Sequence, residues 1–136
     1  MWQPDLLKGK RQRPKKTPPA LEVRTHIAIA DLLRINARKD WRWTHFPSGE
    51  LRTPATAEKL QRMGVTAGWF DFLLVDPQGV HYWLELKRGK LGRMSPAQTD
   101  MADFFCHARV NHAICNSFEE AKRALEIWGI LRRPIT

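Results

Sequence analysis

Residues 68–87 read GWFDFLLVDPQGVHYWLELK, and the way this stretch pairs with itself decides the fold. Two runs rich in Phe, Leu, Val, Tyr and Trp flank Asp76-Pro77-Gln78-Gly79, the pattern of a β-hairpin. Asp76 at the first position and Pro77 at the second favour a type I turn, and Gly79 can take the left-handed conformation next. That is a three-residue loop closed by a glycine bulge. It pairs Asp76 with Val80, Leu74 with Tyr82, Phe72 with Leu84 and Phe70 with Leu86, which makes one face apolar. The other face pairs Val75 with His81, Leu73 with Trp83 and Asp71 with Glu85. A two-residue loop would set Glu85 beside Phe70 and Phe72 and leave neither face clean. Register follows the face that must be buried, so the first pairing is expected.

That register creates an electrostatic problem. Residues i and i+2 of a strand share a face, so Glu85 brings Lys87 with it, opposite Asp71. Like charges directly opposed are destabilising, and desolvation makes this worse. One reading is a structural ion pair between Lys87 and a carboxylate. One lysine cannot neutralise two acids, however, whereas a divalent cation can, and hard oxygen ligands suit Mg²⁺ or Mn²⁺. Such a cation polarises a phosphoryl oxygen and acidifies water, and Lys87 would position that water or stabilise charge on the phosphate.

Outward from the hairpin, a helix is expected from about Pro19 to Ile35, with Leu21, Ala28, Ile29, Leu32, Leu33 and Ile35 as its apolar stripe. Glu22, His26, Ile29 and Leu33 share one helical row. Glu22 therefore borders the buried stripe, although a helix-start glutamate also suits the macrodipole alone. WRWTHFPSGELR (41–52) suggests a short strand and a turn-rich loop. Thr53 and Pro54 open a second helix that carries Leu60 and Met63 and stops at Gly64. Ser95, Pro96 and Gln98 form the capping-box start of a third, with Met101, Phe104 and Phe105 as its buried face. VNHAICNS (110–117) is a further strand, and Ser117 with Glu120 caps a last helix bearing Phe118, Ala121, Leu125 and Trp128. The order α–β–α–β–β–α–β–α implies an α/β fold. Its sheet is mixed, with an antiparallel hairpin and a parallel pair made by the last crossover, flanked by helices.

The chain has 136 residues and a formal net charge of +9, which fits one domain with a polyanionic partner. Residues 1–19 hold six basic side chains, Lys8, Lys10, Arg11, Arg13, Lys15 and Lys16, and one acid. Residues 1–18 therefore read as a basic tail, either solvated or an arm for phosphates, and 19–136 as the domain. Arg88, Lys90 and Arg93 flank the acid–lysine strand, as phosphate contacts or as a solvated charge run. No apolar run is long enough to cross a membrane, and no apolar signal core precedes the domain, so a cytoplasmic location is expected. Cys106, His107, His112 and Cys115 have zinc-ligand chemistry without a standard paired spacing, and the AIC run fits a buried free Cys115. His45 and His81 read as surface or packing histidines rather than bases, and Trp41, Trp43 and Trp83 as core rather than base-stacking platforms.

Asp71 after Phe70, followed by ELK at 85–87, resembles the PD-(D/E)XK nuclease motif. The closer likeness is to its VRR-NUC branch, particularly small stand-alone phage and bacterial members. Glu22, HFPSGELR (45–52), RMG (62–64), GWFD (68–71), ELK, SPAQ (95–98) and WGI (128–130) match that pattern in order, over roughly residues 19–130. Phe70 stands where the family has proline and Ser48 where it has asparagine. The resemblance implies a restriction-endonuclease-like core and Mg²⁺- or Mn²⁺-dependent hydrolysis of DNA, on branched substrates such as flaps or four-way junctions. It implies metal ligation by Asp71, Glu85 and the Leu86 backbone carbonyl, with Lys87 assisting the attacking water. Glu22 becomes a further acidic site residue, at the metal or through water, and Gln98 lies at the site edge, unless it is only a cap. A homodimer acting in the host or bacterial cytoplasm is expected. The rival reading is a non-catalytic nucleic-acid-binding module that keeps the fold.

Overall fold

In a computed structural model the described residues are 19–47, 53–87 and 93–132, with side chains from residue 23 onward in the first segment. The basic residues Lys8, Lys10, Arg11, Arg13, Lys15 and Lys16, together with Ser48, Arg88, Lys90 and the Glu22 side chain, lie outside them.

The hairpin forms as its turn chemistry dictates. Strands β2 (Phe72–Val75) and β3 (His81–Leu86) pair Phe72 with Leu84, Leu73 with Trp83, Leu74 with Tyr82 and Val75 with His81. Gly79 has φ +83°, and the loop closes through Asp76 N to Val80 O and Gly79 N to Asp76 O, both 3.0 Å. The Asp76 carboxylate accepts from Gln78 N and Val80 N at 2.9 Å and from Tyr82 OH at 3.0 Å. The side chain thus satisfies turn amides that the strands leave over.

Around the hairpin lie α1 (Pro19–Asn36), β1 (Arg42–His45), α2 (Pro54–Arg62), α3 (Pro96–Ala108), β4 (Asn111–Cys115) and α4 (Phe118–Trp128). The sheet order is β1-β2-β3-β4. The first two pairings are antiparallel, and β3 with β4 is parallel through the α3 crossover. This is the expected mixed sheet with flanking helices. Ile29 and Leu33 of α1 and Ala121 and Leu125 of α4 bury against Phe72, Leu74, Leu84 and Leu86 on one face. On the other face Phe105 of α3 packs with Trp83 and Phe70. Helix α2 carries no buried residue. Among the described residues no helix is long and apolar enough to cross a membrane.

Phe70 departs from the expected pairing. Strand β2 begins at Phe72, and Asp71 is a bend, so the alternation stops there. Phe70 turns away from Leu86 and joins the α3 face, its ring centroid 5.1 Å from that of Phe105. Ile35 and Phe104 are 64% and 59% exposed, against expectation. Each α-helical residue turns about 100°, so Ile35 cannot share the row of Ile29 and Leu33, nor Phe104 that of Phe105. Ser117 caps α4 by accepting from Glu120 N, but Glu120 Oε2 accepts from Asn116 N instead of closing the box on Ser117.

Candidate active site

The site forms where the bend before β2 meets the end of β3. Continuing the hairpin register places Asp71 opposite Glu85. Asp71 Oδ2 accepts from Leu86 N at 2.8 Å, so the carboxylate itself joins the two chain segments. The Asp71 carbonyl accepts from Phe46 N at 2.6 Å and from His45 Nδ1 at 2.9 Å. A carbonyl only accepts, so His45 carries its proton on Nδ1 there. His26 of α1 places Nε2 3.6 Å from Asp71 Oδ2.

Glu85 is 1% exposed. Its Oε2 lies 2.9 Å from Lys87 Nζ and accepts from Gln98 Nε2 at 2.8 Å. Gln98 Oε1 in turn accepts from Lys87 Nζ at 2.8 Å and from Ser95 N at 3.0 Å. Flipping the Gln98 amide would aim its NH₂ at two donors, so the network fixes its orientation. The alternatives for Gln98 therefore merge: the capping box that starts α3 also holds the amide between Glu85 and Lys87. Burial first, and then the charge of Asp71, raise the Glu85 carboxyl to about 7 against the opposing pull of Lys87. Glu85 Oε1 is buried with no hydrogen-bond partner among the described residues.

Gly68 explains the glycine of the GWFD stretch. Its φ is +103°, and a Cβ there would lie 2.5 Å from Ala97 O in the first turn of α3. The lead-in to Asp71 and the helix start carrying Gln98 are packed as one unit by this close approach.

Asp71, Glu85, Lys87 and Gln98 are thus brought together, and Leu86 contributes its N–H to the same point. Glu22 sits on α1 four residues before His26, with its side chain outside the described residues. Arg93 is exposed two residues before the Ser95 cap. His26 and His45 touch Asp71 although the sequence marked neither as a site residue. For His26 the available signal was its place in the helical row of Glu22. Cys106 Sγ is 3.6 Å from His112 Nε2, while Cys115 is buried on β4. Among the described residues no three His, Cys, Asp or Glu side chains converge on one point. Comparison with protein-family models, curated proteins and solved structures yields no match.

The donor set fits a hard divalent cation. Two carboxylates meet at one end of the sheet, one of them has an oxygen without a partner among the described residues, and each disfavours the other's charge. The residues that would hold it are Asp71 and Glu85, with the Leu86 carbonyl and Glu22 as the remaining donors of the expected set.

Proposed function

We propose that this chain is a Mg²⁺- or Mn²⁺-dependent deoxyribonuclease of the VRR-NUC type, hydrolysing phosphodiester bonds in branched DNA. The observation that carries this reading is the buried Glu85, opposite Asp71 and in contact with both Lys87 and Gln98. A cation held by the carboxylates would supply Lewis acidity at a phosphoryl oxygen. The protein's own groups do the rest. Lys87, fixed by Gln98 Oε1, orients the attacking water and offsets negative charge developing on the phosphate. The hydrogen bonds from Phe46 and His45 hold the Asp71 main chain, and Leu86 N holds its carboxylate.

The meander β1–β2–β3 with a parallel β4 is consistent with a restriction-endonuclease-like core. The charge of +9 suits DNA, with Lys8, Lys10, Arg11, Arg13, Lys15, Lys16, Arg88, Lys90 and Arg93 as phosphate contacts. Two copies would cut two strands symmetrically, in the cytoplasm where phage or bacterial DNA is processed.

The 2.9 Å Lys87–Glu85 ion pair favours a second reading, a binding module in which that pair serves only the fold. Labelled duplex, single-stranded, flap and four-way-junction DNA, incubated with Mg²⁺, Mn²⁺ or EDTA, separates the two. Cation-dependent cleavage is expected, greatest on branched DNA and lower by orders of magnitude in Glu85→Gln and Lys87→Ala. Binding without cleavage in either metal would leave the module.

A further inference from the structure

A groove of about 480 Å³, open to solvent, runs between α1 and β1, the edge strand of the sheet. Clefts of roughly 300–1,000 Å³ hold small molecules. One end lies at Asp71, where His26 and His45 make their contacts. The other end is Arg34, about 12 Å further along α1 by helical rise.

The strand side carries the Trp43, His45 and Phe72 rings, and α1 faces them with His26, Ile27 and Ala30. The His26 and His45 rings meet edge to face with centroids 5.2 Å apart, and Phe72 lies 5.2 Å from His45. Trp43 and His45, two residues apart on β1, are both only half-buried. The Arg34 guanidinium stands 6.0 Å from the Trp43 ring centroid. Its partner Asp31 is an exposed i,i+3 contact at 3.0 Å, a weak pairing that leaves the cation available. Among the described residues that line the groove none is an acid, and Asp71 stands at its end. Ring faces with a planar cation at one end match a nucleotide, whose base stacks and whose phosphate takes the guanidinium. A base inside a duplex has both faces covered by its neighbours, so an unpaired nucleotide is the better ligand.

We propose that this groove is a subsite for one unpaired nucleotide beside the scissile phosphate, its base against Trp43 and His45 and its flanking phosphate on Arg34. The position of the scissile phosphate rests on the nuclease reading, whereas binding in the groove requires no cleavage. The subsite gives a physical source for preference towards flaps, which offer unpaired nucleotides at the point of branching, and towards junctions only where a branch-point pair opens.

The test is fluorescence anisotropy of a labelled oligothymidylate and of a blunt duplex in EDTA, using the full chain. Arg34→Gln and Trp43→Leu should each weaken oligothymidylate binding on the order of tenfold. Duplex affinity should stay within about twofold, and Trp43→Phe should restore most of the loss. Arg34→Gln should also flatten the single-strand salt slope by about 0.7. Arg34 is exposed, so its variant decides alone if Trp43→Leu fails to fold. Unchanged oligothymidylate affinity in Arg34→Gln, or an equal loss on duplex, overturns the subsite. A wild type that binds through the groove but cleaves nothing removes the nuclease reading and leaves the subsite standing. Flap cleavage and binding undiminished in both variants do the reverse.

Discussion

With Asp71 opposite and almost no surface exposed, the Glu85 carboxyl gives up its proton only near pH 7. In the unfolded chain the ordinary value is 4.5. Between these values the folded state binds more protons, so stability falls as pH rises from about 4.5 to about 7. The contribution of this one group is up to about 3 kcal/mol. Glu85→Gln should therefore match wild type near pH 4.5 in EDTA and melt above it at pH 8. A gap that stays constant across this range would refute the electrostatic account of Glu85. At this scale the sequence was informative where local rules act. Turn chemistry set the register that leads Asp71, at the bend just before β2, towards Glu85 and Lys87 at the end of β3. The second role of Gln98 was not legible, because it depends on where α3 lands against β3. Nor were the contacts of His26 and His45, which need α1 and β1 docked around Asp71.

The element on which the site depends most is the start of α3. Its capping box positions Gln98, and the Gly68 backbone packs against its first turn. Gly68→Ala forces a Cβ to within 2.5 Å of a backbone carbonyl, at a φ that L residues rarely adopt. The expected loss is about 1–3 kcal/mol of stability. Cleavage should also drop at temperatures where the variant remains folded, since the helix start carrying Gln98 must move. Wild-type melting and cleavage in the variant would show that the close approach is slack. Helix starts and the hairpin were readable from Ser95, Thr53, Ser117 and Gly79, because caps and tight turns are local chemistry. Phe70 was not. Its face depends on a bend at Asp71, and that bend rests on contacts with β1 and β3.

For the molecule as a whole, the order of elements was enough to anticipate a mixed α/β sheet, since a crossover helix between strands makes them parallel. Which helices share a face was less accessible. Helices α1 and α4 meet on one side and α3 packs on the other, a choice made by packing. The central claim is that the molecule holds Asp71 and Glu85 together for a cation, against their repulsion. Thermal melts of wild type and Asp71→Asn, in EDTA and in Mg²⁺ or Mn²⁺, address it directly. Asparagine keeps an acceptor for Leu86 N while removing one repelling charge. In EDTA the variant should be at least as stable as wild type, by on the order of 0.5–1 kcal/mol. Either metal should raise the wild-type melting temperature, and raise that of the variant much less. A variant melting well below wild type in EDTA, with a wild type indifferent to both metals, would contradict the claim and leave Lys87–Glu85 as an ion pair of the fold.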